Sequence, residues 1–323
     1  MNPTWQNFLR SAQTGFPSPT GISFPARPAE HQRIFALAHL GVLTVSGKDA
    51  ATLLQGQITC NIKEVTDEQS SLGAVCNPKG RAIATFLLIK QADVFHLVLP
   101  IGLLETVKKR LGMFILRSIA TITDNTNAYC LLGITAPPAP SPGAWLATTR
   151  QTFISVHWGA RALVLATPDA AIAFWSERLK QGFQPDNSAN WQLLDIESGI
   201  PWLNAETSEE FVPQMLNLDK LGGISFTKGC YTGQEIIART HYLGKSKRGM
   251  LLAVTGAPAP EPNTNILDGR DETVGQVLAA QTDGQSCKLL IVTQLAEDNQ
   301  YQLKLADGTP LHIIPTTEYG QER

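Results

Sequence analysis

Apolar positions along the chain fall in short clusters, some with the period of strands and some with that of helices. Val42-Leu43-Thr44-Val45 predicts a strand. Residues 82–89 and 94–99 predict two more, apolar enough to be buried and separated by the turn-like Gln91-Ala92-Asp93. Ser46 stands three residues before Asp49, a capping-box spacing, ahead of a helix through Leu54. Residues 103–111 predict a helix whose Lys108, Lys109 and Arg110 suit the negative end of its dipole. Strands follow at 153–156 and 162–166. A helix is expected over 168–179, with Ile172, Trp175 and Leu179 at helical spacing. Short strands at 276–279 and 288–292, set among Asp and Gly turns, have the texture of a small β-barrel. Strands and helices alternate without a regular βαβ rhythm, so the expected class is α+β.

Prolines punctuate this pattern. Pro17, Pro19, Pro25 and Pro28 make residues 1–30 an N-terminal arm with one short helix. Pro137, Pro138, Pro140 and Pro142 form a breaker, and residues 257–262 are again Pro-rich. The expected division is an arm (1–30), a region of two lobes with its breaker near 137–142 (31–243), and a C-terminal barrel (244–323).

Composition narrows the function classes. The chain has 323 residues, 43% hydrophobic and 17% charged, with a net charge of −2. That suffices for more than one core and offers no global basic surplus for nucleic acid. Cysteines at 60, 76, 130, 230 and 287 are odd in number and lack a Cys-x-x-Cys pair. A disulfide framework and a local zinc or iron–sulfur ligand set are therefore not expected. The N-terminus lacks a basic start followed by an apolar core, and no apolar run approaches the roughly 20 residues of a membrane span. A cytoplasmic protein without membrane contact is expected. No phosphate-binding loop, His-Glu-x-x-His or Gly-x-Ser-x-Gly pattern is present, which disfavours an NTPase, a zinc enzyme and a hydrolase.

The densest chemistry lies between residues 222 and 248. Gly222-Gly223-Ile224-Ser225-Phe226 reads as a turn into a short apolar piece, followed by Lys228-Gly229-Cys230. Thr232 and Glu235 again have capping-box spacing, ahead of the helix-compatible Ile236-Ile237-Ala238-Arg239. Cys230 then precedes a helix N-terminus with Lys228 two residues away, and both favour a thiolate. The competing reading makes Cys230 a buried small hydrophobe. Lys228, Arg239, Lys245, Lys247 and Arg248 face only Glu235, a local charge of +4. Such a strip suits a polyglutamate tail, a phosphate or RNA, or is simply a solvated basic loop.

The run from Ile224 through Lys228-Gly229-Cys230-Tyr231-Thr232-Gly233-Gln234-Glu235 to Ala238-Arg239 resembles the signature of the YgfZ family. Several other stretches resemble the same family: Glu197-Ser198-Gly199-Ile200-Pro201, Phe211-Val212-Pro213-Gln214, Val45-Ser46-Gly47-Lys48-Asp49, Leu54-Gln55-Gly56-Gln57 with Thr59, and Cys76-Asn77-Pro78-Lys79-Gly80. The family is similar to the folate-dependent aminomethyltransferase of glycine cleavage. The resemblance implies three lobes around a central folate-holding channel, the last lobe a small β-barrel. It also implies tetrahydrofolate or a derivative as cofactor. The implied role is maintenance of iron–sulfur enzymes, with a radical tRNA methylthiotransferase among the clients.

Two departures from the aminomethyltransferase pattern bear on activity. The stretch matching its catalytic carboxylates is Gly80-Arg81-Ala82-Ile83-Ala84-Thr85, with no acid at Ala84 or Thr85. Proton handling at the folate nitrogen then lacks its usual residue, which speaks against aminomethyl transfer. Gln234 stands where those enzymes carry a folate-holding arginine. Glu206, seven residues after Gly199, matches their pterin-binding glutamate, and a carboxylate can pair with a pterin's donor edge. Of two tryptophans that the YgfZ family links to folate, Trp191 matches one and Leu40 replaces the other. Simple core packing is the alternative for Trp191. The implied site is thus Cys230 and Lys228 as working groups, with Trp191, Glu206, Gln234 and Arg239 around folate and no metal. The expected function is a tetrahydrofolate-binding accessory protein for iron–sulfur enzymes, including those that methylthiolate tRNA. A folate-dependent one-carbon transferase is one alternative, and a tRNA-binding module using Lys245, Lys247 and Arg248 is another.

Overall fold

A computed structural model of the chain describes residues 1–12, 16–18, 21–24, 32–116, 118–136, 145–150, 152–244, 246–296 and 300–315. The proline cluster at 137–142 and Lys245 lie outside these residues. The described chain divides into two compact units, each assembled from separate stretches. One comprises Met1–Leu54, Ile62–Ser71 and Phe86–Trp191; the other comprises Gln55–Asn61, Leu72–Thr85 and Gln192–Arg323. The division passes through the strand Ala82–Gln91 instead of falling in a linker.

A five-stranded sheet runs in the order Ser71–Cys76, Ala82–Gln91, Val94–Pro100, Leu40–Ser46, Thr121–Asp124. Three of these strands are those predicted at 42–45, 82–89 and 94–99. Leu40–Ser46 is buried at every position but the last, so apolar side chains cover both its faces. The buried Thr44 is paired: its Oγ1 lies 3.2 Å from His96 Nδ1 and accepts from Asn125 Nδ2 at 2.9 Å. Burial lowers the His96 imidazole pKa to about 4, and that of His39 likewise. The predicted helix after Ser46 is present as Ala50–Gln55, but the capping box is not. Asp49 instead accepts from the Ile119 N–H at 2.7 Å through Oδ2 and donates its own N–H to the Ile119 carbonyl at 3.1 Å.

A six-stranded sheet follows the order Leu146–Thr149, Phe153–Trp158, Arg161–Ala166, Cys130–Thr135, Arg33–Ala36, Gln184–Asp186. Its last pair is parallel and the others are antiparallel. With the period of two that strands impose, Ile34, Ala36, Leu132, Ile134, Ala162 and Val164 join one core. Trp5, Leu9, Phe174 and Trp175 complete it from the helices Pro3–Ala12 and Pro168–Lys180. The N-terminal helix is therefore built into a core, whereas the sequence suggested an arm. Trp5, Phe8 and Leu9 share one helical face, and Trp5 and Leu9 are fully buried. Each such side chain contributes roughly 1.5–3 kcal/mol on burial.

The C-terminal region closes into a barrel ordered Arg248–Thr255, Cys287–Gln294, Thr273–Thr282, Asn265–Leu267, Leu303–Leu305, Pro310–Ile314. Pairing of the last strand with the first removes the free edges. Inward residues such as Val277, Leu289, Ile291 and Leu311 form its core. Helices beside largely antiparallel sheets make the fold α+β with a terminal barrel, as the hydrophobic pattern predicts. Among the described residues no helix is long and apolar enough to cross a membrane.

Candidate functional site

Three stretches far apart in sequence meet in the second unit: residues 55–60, 76–81 and 222–239. Ser225 N–H donates to the Thr59 carbonyl at 2.9 Å, and Thr59 Oγ1 donates to the Gly223 carbonyl at 2.6 Å. Thr232 N–H donates to Gly56 at 3.3 Å, while Thr232 Oγ1 donates to Gln57 Oε1 at 3.0 Å. The Asn77-to-Arg81 turn lies against Gly233. A Cβ on Gly233 would fall 2.6 Å from the Asn77 carbonyl oxygen and 2.9 Å from Gly80 Cα. Gly233 also has φ +84°, a conformation that favours glycine. Only glycine therefore fits this crossing without strain.

Gly233 sets the start of the helix Gln234–Leu243 as its left-handed N-cap, with no side-chain cap bond. The expected capping box from Thr232 is not formed, because the Thr232 hydroxyl is spent on Gln57. Gln234 braces the turn, its Oε1 accepting from the Tyr231 N–H at 3.3 Å. Arg239 stands exposed on the helix. Cys230 lies four residues ahead of the first helical position, on irregular backbone.

Cys230 is exposed, whereas Cys60, Cys76, Cys130 and Cys287 are all buried. Cys230 is therefore not a buried core residue. Burial pushes the Cys130 thiol up to about 12 and raises that of Cys287. Two anchored neighbours flank Cys230. Lys228 is buried, and its ammonium donates to the carbonyls of Ile58 at 2.7 Å and Cys60 at 2.9 Å. It also lies 4.9 Å from the centre of the Tyr231 ring. Desolvation lowers the Lys228 pKa to about 8, opposed by the nearby Cys60 thiol. Lys228 thus ties the segment to residues 58–60, where the sequence suggested a charge partner for Cys230. Tyr231 is buried on the other side, and its hydroxyl has no hydrogen-bond partner among the described residues. Burial raises its pKa, helped by the thiols of Cys76 and Cys60. The result is a short exposed thiol segment held between two buried side chains.

The stretch around Thr85, where the resemblance leads one to expect the carboxylate of an aminomethyltransferase, is engaged in packing and backbone hydrogen bonds. Thr85 is buried; its Oγ1 donates to the Pro201 carbonyl at 2.6 Å and accepts from the Leu203 N–H at 3.1 Å. Ala84 is buried beside it. Glu206 sits exposed on a turn locked by Asn204 and Thr207, each N–H donating to the other's side-chain oxygen at 3.0 Å. Gln214, within a matching stretch but not singled out from the sequence, donates its amide to the Ile237 carbonyl at 2.6 Å. Its Oε1 is buried without a partner among the described residues. The signal for Gln214 is a buried amide with one unmet acceptor, which sequence alone does not show. Lys247 is exposed and Arg248 half-buried at the first barrel strand.

Trp191 belongs to the first unit, and its surroundings match the core-packing reading. It is 1% exposed and packs edge-on against Phe35 at 5.4 Å and Trp158 at 5.9 Å. The Arg161 guanidinium lies 5.1 Å from its ring centre. Leu40, at the other tryptophan position, is likewise buried at the start of its strand.

No family model matches the chain. Among solved structures, the chain is similar to glycine cleavage system aminomethyltransferase T from Bartonella henselae. The TM-score is 0.77 at 12% identity, covering 99% of this chain and 98% of that one. The fold of that aminomethyltransferase is therefore shared over nearly the whole length. A heterotetrameric sarcosine oxidase from Corynebacterium sp. U-96 also matches, with a TM-score of 0.29, 13% identity and coverage of 45% of this chain and 80% of that one.

Proposed function

We propose that this chain is a tetrahydrofolate-binding accessory protein of the YgfZ type. It serves the assembly, repair or maintenance of iron–sulfur enzymes, including those that methylthiolate tRNA, and it works through Cys230. The observation that carries this reading is the exposure of Cys230, alone among five cysteines, on a segment anchored by Lys228 and Tyr231. A thiol meant for packing would be buried, and a thiol on a loose loop would not be held in one place.

Folate is supported by the shared aminomethyltransferase fold and by the chemistry of the polar groups. A pterin presents amino and ring N–H donors. The exposed carboxylate of Glu206 and the orphaned Oε1 of Gln214 are acceptors of the right kind. When bound, tetrahydrofolate supplies a one-carbon-carrying pterin. Glu206 on its locked turn would fix the pterin edge, and Gln234 and Arg239 would add polar and cationic contacts. Trp191 does not fit as a stacking wall, since its ring is enclosed. Aminomethyl transfer is disfavoured because Thr85 spends its hydroxyl on Pro201 and Leu203.

Two measurements test the reading. Tetrahydrofolate should raise the melting temperature of the purified protein, and Glu206→Ala should weaken that shift. In a deletion strain, Cys230→Ala should fold normally yet fail to restore tRNA methylthiolation. Full restoration by Cys230→Ala defeats the thiol assignment; absence of any folate shift defeats the cofactor assignment. Turnover of a methylene- or formyl-folate would favour a transferase, and salt-sensitive tRNA binding lost on neutralising Lys247 and Arg248 would favour an RNA-binding module.

A further inference from the structure

The helix Leu104–Gly112 buries Leu104, Val107 and Leu111 on one face and then leads into an apolar loop that nothing covers. Met113 is 56% exposed, Phe114 38%, Leu116 93% and Ile119 67%. With Ile101 these are five of the eight exposed large hydrophobic side chains among the described residues. Single exposed apolar residues are ordinary, but a contiguous group marks an interaction surface.

The exposure is built in. Phe114 N–H donates to Leu111 at 3.1 Å, Ile115 N–H to Gly112 at 3.3 Å and Ser118 N–H to Ile115 at 2.7 Å. At the far end Asp49 grips Ile119 through both backbone and carboxylate. Gly47, at φ +107°, lets the loop approach: a Cβ there would fall 2.5 Å from the Ile119 carbonyl oxygen. The loop is thus fixed at its base with its apolar side chains turned outward.

Charge indicates what covers it. Residues 101–119 contain Lys108, Lys109, Arg110 and Arg117 against Glu105 alone, a net +3 in a chain of −2. The Arg110 guanidinium lies 5.3 Å from the centre of the exposed Phe114 ring. Met, Phe and Arg are the residues enriched in protein interfaces, while the Trp and Tyr typical of a membrane boundary do not occur between 101 and 119. We propose that this loop and its basic helix end dock a partner protein through an apolar segment flanked by carboxylates. The proposal rests on the reading that the chain acts on protein clients, and it places client recognition in the unit that does not carry Cys230.

A photoreactive amino acid at position 116 of the full-length protein, irradiated in cells and mapped by mass spectrometry, tests the docking. The expected product joins position 116 to an apolar segment of another protein bearing flanking Asp or Glu. Its yield should fall at least tenfold with Lys108→Gln and Lys109→Gln combined. Products confined to lipid, RNA or a second copy of this chain, or no product, overturn the proposal. So does a yield indifferent to the lysines in a variant of unchanged melting temperature. A functional arm separates this idea from the one beneath it. Met113→Ser with Leu116→Ser, both at exposed positions, should abolish client maturation while leaving the folate shift and Cys230 alkylation intact. If Cys230→Ala is inactive and the double variant fully active, the docking surface is wrong and the thiol assignment stands. If Cys230→Ala is active, the functional reading itself falls.

Discussion

Replacing Gly133 with alanine should destabilise the first unit through Trp191. Gly133 lies within the strand Cys130–Thr135, and an added Cβ would fall 2.3 Å from Cε3 and 2.4 Å from Cζ3 of the Trp191 ring. Unstrained carbon contacts are roughly 3.5–4.0 Å, so ring and strand must part by about 1 Å. The ring has little room, since Phe35, Trp158 and Arg161 pack around it. Overpacking of this kind costs about 1–3 kcal/mol, occasionally more. The upper end is expected here, because the strand pairs on both sides and cannot move alone. Trp191→Leu alone should cost about 3 kcal/mol through the cavity it leaves. The double variant should cost at least 1 kcal/mol less than the sum of the singles, because the smaller side chain makes room for the methyl. Urea unfolding, followed by circular dichroism, gives all four corners of the cycle. A wild-type midpoint for Gly133→Ala, or strictly additive costs, refutes the reasoning. If Trp191 were instead a folate wall, Trp191→Leu would lose the folate shift without coupling to position 133.

Native protein treated briefly with iodoacetamide should take up one adduct, at Cys230, while denatured protein takes up five; a second native adduct would contradict the burial of the other thiols. Stability should fall as pH drops from 6.5 towards 4, because the unfolded chain then protonates His39 and His96 while the folded protein, with both lowered to about 4, does not. Each histidine is worth roughly 3 kcal/mol at full extent, and His96→Gln should flatten the melting-temperature profile over that range. Gly233→Ala should cost about 2 kcal/mol or more from the left-handed backbone and the clash with Asn77 and Gly80, and it should slow thermal recovery of Cys230-dependent activity; an unchanged melting temperature would show the crossing to be looser than described.

The strands at 42–45, 82–89 and 94–99 were legible as short apolar runs buried on both faces, the helix over 168–179 by its helical spacing, and the barrel by short apolar runs set among Asp and Gly turns. The two capping boxes were not. The spacing of Ser46 with Asp49, and of Thr232 with Glu235, correctly marked nearby helix starts. In each case a distant group competed for the capping side chain: Ile119 took the Asp49 carboxylate and Gln57 the Thr232 hydroxyl. Sequence spacing describes what a side chain can reach locally, not what the fold later brings closer. Lys228 teaches the same lesson at the site. Two residues from Cys230 it reads as an electrostatic partner, yet Lys228 is buried where Cys230 is exposed. The ammonium that would have faced the thiol is buried under residues 58–60, and a buried cation needs the two carbonyls it finds there. On the proposed function, Lys228 is expected to act through position more than charge. Lys228→Met should hold the segment partly by packing but lose the cation's hydrogen bonds to the carbonyls of Ile58 and Cys60, at about 1–3 kcal/mol in all. Lys228→Arg, too large for the same space, should lose activity despite keeping the charge. Activity retained by Lys228→Arg and lost by Lys228→Met would restore the electrostatic role that the sequence first suggested.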